Sequence, residues 1–150
     1  MRIVVAVLLL ISASHLAAQD NLAPKRQILD YTTAYNRCQS GDKPMLVLVT
    51  ATWCAPCQQM KNLTLPELLQ KDSLKDVHFA TVDYDAELAV AQQLIGDRGV
   101  PQLVLFQKVD NQWVRRYISG MQTTQAVEDF INKSKTGVVQ VANSAAEAKK

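Results

Sequence analysis

Metal ligands are scarce in this sequence. Its 150 residues include three cysteines and two histidines. Cys54 and Cys57 form one C-x-x-C, and neither a second such pair nor an H-x-x-x-H accompanies it. A structural zinc centre takes about four ligands, usually from two paired motifs, so no metal is expected. An excess of one charge is also missing. The 16 basic and 14 acidic side chains leave a net charge of +2, and the basic ones are scattered apart from Lys149 and Lys150. That balance lacks the electrostatic footprint of a nucleic-acid or anionic-membrane binder. No apolar run reaches the roughly 20 residues that a spanning helix needs. No internal repeat is present, and 48% hydrophobic residues suit one compact domain.

The run that comes closest opens the chain. In "MRIVVAVLLLISASHLAAQ", Arg2 precedes an apolar stretch from Ile3 to Ile11, then small and polar residues, then Ala17 and Ala18. A charged start, a short apolar centre and small residues before a cleavage point are the layout of a secretory signal peptide. Residues 1–18 are therefore read as a signal peptide cut after Ala18, with an uncleaved anchor as the alternative. The expected location is periplasmic or secreted, with no membrane span left after cleavage. Loss of Arg2 leaves 15 basic and 14 acidic side chains, a net charge of +1. Export favours oxidised thiols, so Cys54 and Cys57 can exist as a disulfide. Cys38 makes the count odd, and both a buried inert thiol and a pairing between chains are open.

Residues 19–26 form a polar leader, 27–134 the globular domain, and 135–150, rich in Ala, Lys and Ser, a tail expected to be disordered. Within the domain a helix is expected from about Ile28 to Gln39, closed by Gly41 and Pro44. "MLVLVT" (45–50) is a continuous apolar run that suits a strand buried on both faces. "APCQQMKNL" reads as helix with Pro56 in its first turn, and Pro66 breaks or restarts it. A strand at 77–83 and a helix at 86–95, ended by Gly96, come next. Strands at 101–106 and 113–118 are joined by the turn "QKVDNQ", and a last helix runs from Thr124 to Ser134. The order α-β-α-β-α-β-β-α predicts an α/β fold, a mixed sheet of about four strands with helices on both faces.

A C-x-x-C alone is compatible with a redox couple, half of a metal site, or two buried thiols. Its placement, where a buried strand gives way to a helix, favours the first. Unpaired N–H groups at a helix start carry partial positive charge and stabilise a thiolate. By position Cys54 is the exposed nucleophile and Cys57, one turn inward, the resolving thiol. The two intervening residues, Ala55 and Pro56, keep the sulfurs close in either redox state.

"TWCAPC" resembles the active-site motif of the thioredoxin superfamily, with Trp53 before Cys54. "DRGVPQLVLF", Asp97 to Phe106, is similar to the family's downstream loop and strand. The resemblance implies a cis-proline at Pro101 beside the cysteine pair and a free Val100 backbone that pairs with an extended substrate segment. Read without it, Pro101 is an ordinary proline that begins a strand. Gly120 matches a glycine that lines the groove before the last helix. The resemblance covers about Ile28 to Ser134, and "GDKPMLVLVTATWCAPCQQMK" is most like exported thioredoxin-like proteins and the C-terminal domain of bacterial disulfide-interchange proteins. Three positions depart from the pattern. Leu48 stands where many thioredoxins have a buried acid, Thr81 where they have a lysine, and Thr50 where they have a tryptophan.

The expectation is thus an exported thiol–disulfide oxidoreductase of thioredoxin fold. Cys54 and Cys57 are its catalytic pair and redox-active disulfide; Trp53, Ala55, Pro56, Val100, Pro101 and Gly120 form its substrate groove. The dithiol is its own redox group, so no soluble cofactor is expected. The implied partners are protein thiols and disulfides and a redox partner that recycles the dithiol, on the reducing side of exchange. The alternative is a peptide-binding or chaperone module that uses the groove without net electron transfer. Trp53 reads either as a core aromatic or as a substrate contact. His78 reads as a packed sheet residue, and Asp83 and Asp85 as a strand end and a cap of the next helix.

Overall fold

The strand β1 (Met45–Thr50) is buried at all of its positions. With no polar face to show to water, it has to run through the middle of a sheet covered on both sides. A computed structural model describes residues 28–41 and 43–135 and places it there. The expected signal peptide, the leader and the tail beyond Lys135 lie outside the described residues. β1 pairs in parallel with β2 (His78–Asp83) and antiparallel with β3 (Gln102–Val109), and β4 (Gln112–Ser119) pairs antiparallel with β3. The order is β2-β1-β3-β4, the expected mixed sheet.

Alternation along β1 divides the core into two layers. Leu46 and Leu48 join Leu103 and Leu105 beneath Met60, Leu65, Leu68, Val127 and Ile131. Met45, Val47 and Val49 join Val82 and Val104 beneath Ala34, Cys38, Ala91, Leu94 and Ile95. The first face is covered by α2 (Ala55–Gln59), its continuation α3 (Leu65–Gln70) and α5 (Thr124–Lys135). The second is covered by α1 (Tyr31–Ser40) and α4 (Leu88–Ile95).

Three local expectations change, and a fourth resolves to one of its two alternatives. The first helix starts three residues late, because Leu29 is drawn into a parallel bridge with Ala80 and its N–H donates to the Phe79 carbonyl at 2.9 Å. Asp30 then caps α1, its Oδ1 accepting from the Thr33 N–H at 2.9 Å. Of the break or restart expected at Pro66, the structure shows the restart, with the proline in the first turn of α3. Between α2 and α3 the chain makes a π turn over Met60–Thr64, in which the Leu65 N–H donates five residues back to Met60 O. A widened turn just ahead of the proline relieves the crowding its ring would cause in a regular helix. α4 starts two residues late because Asp83 Oδ1 accepts from the Asp85 and Ala86 N–H groups, at 3.0 and 3.2 Å, and holds them in a turn. The last hairpin is tighter than expected. Its turn is only Asp110-Asn111, with φ of 50° and 64°, the left-handed pair that a two-residue type I′ turn needs.

Candidate active site

Where β1 ends, the chain turns through Ala51, Thr52 and Trp53 into α2. Cys54 is the N-cap, in extended conformation, and the Cys57 N–H points at its Sγ at 3.2 Å. The two cysteines are joined as a disulfide, with Cα atoms 5.2 Å apart. Ala55 and Pro56 form the exposed first turn of α2, where a proline's missing N–H costs nothing. Gln58 braces the approach by donating from Nε2 to the Ala51 and Thr52 carbonyls, both at 3.3 Å.

Cys54 is less open than expected, at 5% exposure against 0% for Cys57. In the oxidised state the Cys54 sulfur lies against Cys57. Tyr84 and Val100 also pack on the cluster made by Ala51 and the two cysteines. Trp53 does the opposite and stands 67% exposed at the rim. Its Nε1–H donates to Asp85 Oδ2 at 2.8 Å. Asp83 therefore makes the turn after β2, and Asp85, expected to cap α4, reaches across to the tryptophan instead.

The second wall comes from the loop that enters β3, the strand beside β1. The Val100–Pro101 peptide bond is cis. Gly120, at φ 79°, donates its N–H to the Pro101 carbonyl at 2.9 Å, so the end of β4 is tied to the loop before β3. Trp53, Tyr84, Gln92, Arg98 and Val100 line a cleft of about 380 Å³ beside the disulfide. The structure thus brings Cys54, Cys57 and Val100 together, with Trp53 at the rim and Gly120 fastened through Pro101. Tyr84 and Asp85 were missed as site residues. The signal was there: parallel neighbours end side by side, so whatever follows β2 must lie beside whatever follows β1.

Other candidate groups fall elsewhere. His78 begins β2 and so sits at the opposite end of the sheet from the cysteines. Leu48 and Thr81 stand opposite each other in the β1–β2 register. Trp113 lies on the last hairpin with the Lys108 ammonium 5.1 Å from its ring centre. Cys38 is a free thiol at 3% exposure on the buried face of α1. Burial pushes its pKa up, against a smaller downward pull from the Met45 backbone and Lys108. Among the described residues no three His, Cys, Asp or Glu side chains converge as a metal site would require, and no helix is long and apolar enough to cross a membrane.

A cysteine pair able to pass between dithiol and disulfide, set at a helix start against a cis-proline loop, is the equipment of a thiol–disulfide exchange protein. Comparison with known proteins agrees. The thioredoxin family model matches residues 28–133, and the chain belongs to the thioredoxin family. It is 30% identical over 87 residues to a thioredoxin of Malassezia sympodialis, covering 56% of this chain and 81% of that protein. It is 30% identical over 80 residues to thioredoxin Asp f 29 of Aspergillus fumigatus, covering 53% and 71%. A solved thioredoxin variant of Halobacterium salinarum superposes with a TM-score of 0.55 at 29% identity, covering 73% of this chain and 91% of that one. The fold is the thioredoxin fold, and the protein is a thiol–disulfide oxidoreductase acting on protein thiols and disulfides.

Proposed function

We propose that the protein is exported and reduces disulfides of exported proteins, with Cys54 as nucleophile and Cys57 as resolving thiol. The observation that carries the role assignment is the Cys57 N–H aimed at Cys54 Sγ from the first turn of α2. The same donor stabilises a Cys54 thiolate once the pair is reduced. The thiolate attacks one sulfur of a substrate disulfide; that S–S bond breaks, and the departing sulfur leaves as a thiolate that takes a proton from water. Cys57, losing its proton, attacks Cys54 Sγ and releases the second substrate thiol. The Cys54–Cys57 disulfide results, and two electrons have passed to the substrate. A dithiol redox partner restores the pair by the same exchange in reverse. Trp53, Ala55, Pro56, Val100, Pro101 and Gly120 frame the groove in which the substrate chain lies.

Export rests on the layout of residues 1–18, and is tested by cell fractionation with N-terminal sequencing of the product. Cleavage after Ala18 is the expected result. The reducing direction rests on Ala55 and Pro56, which bring neither charge nor a side-chain hydrogen bond to the thiolate, leaving the disulfide comparatively stable. The expected potential is nearer the roughly −270 mV of thioredoxin than the roughly −120 mV of a strong oxidant. Equilibration with glutathione mixtures, read by mass shift, measures it. A midpoint more oxidising than about −180 mV would remove the reductase assignment. Insulin reduction separates this reading from a binding module, which would transfer no electrons.

A further inference from the structure

Gln102 is fully buried, and the Nε2 of its amide has no hydrogen-bond partner among the described residues. A buried polar atom left unpaired lowers stability, so an apolar side chain would suit this position better on packing grounds alone. Gln102 opens β3, in register with Val49 on β1 and Ser119 on β4. Strand alternation sets its side chain on the face of Val104, in the layer that also holds Val49 and Val82. An amide in that apolar layer calls for a reason.

The other end of the amide is engaged. Its Oε1 accepts from Ser119 Oγ at 2.9 Å. One residue further out on each strand, the Gly120 N–H donates to the Pro101 carbonyl at 2.9 Å. The end of β4 is thus joined to the start of β3 twice, once through backbone and once through side chains. β4 is an edge of the four-stranded sheet, so among the described strands only β3 pairs with it. Edge strands fray most readily at their ends, and a side-chain bond across the last register pair opposes that. Gln102 also directly follows Pro101, and Val100 before the proline packs on the cysteine cluster. Whatever fixes the end of the β3–β4 ladder therefore fixes the backbone that walls the site.

We propose that Gln102 is a positioning residue for polypeptide substrates: its bond to Ser119 locks the end of the β3–β4 ladder and holds the Val100 backbone where an extended substrate chain pairs with it. The inference rests on the groove assigned under Proposed function. It accounts for an amide with an unpaired donor in the core, since stability is exchanged for a fixed wall. The occupant is a polypeptide because backbone pairing needs a chain. A small disulfide has none to align and gains nothing from the lock.

The test compares two substrates, insulin and the small aromatic disulfide dithiobis(nitrobenzoate). Gln102→Met combined with Ser119→Ala removes both bonded groups and keeps the buried volume. That double variant should unfold at the wild-type denaturant midpoint or above it. Its KM for insulin should nonetheless rise about fivefold, the worth of one neutral hydrogen bond, with kcat unchanged. The rate with the small disulfide and the potential of the cysteine pair should stay at their wild-type values. Ser119→Ala alone, at an exposed position, should raise the insulin KM as far as the double variant does, and Ser119→Thr, which keeps the hydroxyl, should hold the wild-type KM. A merely structural role would lower the midpoint of the double variant and leave its insulin KM unchanged, which would overturn the proposal. Equal losses with both substrates, or a shifted potential, would show a disturbed cysteine pair rather than a positioned wall and would overturn it too. If the wild-type protein does not reduce insulin, the groove reading itself fails and this inference with it. If the wild type reduces insulin and the double variant matches it, only this inference fails.

Discussion

Cys38 and Cys54 are almost equally hidden, at 3% and 5% exposure, yet their surroundings direct them to opposite fates. Cys38 lies within α1, packed among Ala34, Met45 and Val47 on the α1–α4 face of the sheet. Its burial outweighs the small help it receives from the Met45 backbone and Lys108, so the neutral thiol is favoured. Cys54 stands where a helix begins, with an N–H aimed at its sulfur and a second cysteine one turn away. Exposure therefore does not separate an inert cysteine from an exchanging one here. Directed donors and a partner sulfur do.

The sharpest way to break this contrast is to remove one sulfur at a time. Cys54→Ser should bring insulin reduction down to background, and Cys57→Ser should accumulate mixed disulfides visible by mass. Cys38→Ala should keep wild-type turnover. If Cys38→Ala lost activity as well, the two regions would not be functionally distinct.

Next in size is Leu48, buried on β1 between Thr81 and Leu103 in the sheet register. A carboxylate placed there without a partner should destabilise the fold by on the order of 3 kcal/mol in chemical denaturation. Leu48→Asp should also add a titrating group to the pH–rate profile. An unaltered profile with unaltered stability would show that this position is not coupled to the cysteine chemistry.

The pH dependence of Cys38 sharpens the comparison from the inert side. Its folded pKa is raised by burial, whereas the unfolded thiol ionises near about 8.5. Below that value both states hold the proton and stability is flat. Above it the unfolded state loses the proton first, so stability falls as pH rises. Denaturation at pH 7 and pH 9.5 should show this slope in the reduced wild type and a smaller one in Cys38→Ala. Alkylation of the reduced protein at neutral pH should modify Cys54 well before Cys38. Smallest of all is the rim contact. Asp85→Ala removes an exposed hydrogen bond and should change stability by no more than about 1 kcal/mol, while shifting Trp53 emission. An unshifted emission would mean that the indole does not hold that partner in solution.

Much of the fold was legible in the residue pattern. The all-apolar run at β1, the Gly96 stop and the two helix-period stretches at α4 and α5 each mark their element because burial and backbone freedom are local properties. The boundaries that moved did so through distant partners. Leu29 left its helix for Ala80, and Pro66 was accommodated by a π turn that leaves no signature in local propensity. At the site, Cys54, Cys57 and Pro101 stood out by motif. Asp85 did not, since it acts through a bond to Trp53, far away in the chain.

The sequence by itself determined the redox element, the central strand and the order of strands and helices. Those depend on residue type and short-range spacing, which the chain carries wherever it lies. Only the tertiary structure decided that Trp53 faces solvent and is held by Asp85. It also decided that Cys54 is nearly as enclosed as Cys57 when oxidised, and that the Gly120 wall is fastened to the cis-proline loop through the Pro101 carbonyl. Each of these depends on which loops the sheet register brings to the same end, and register is set by packing across the whole core rather than by any one segment.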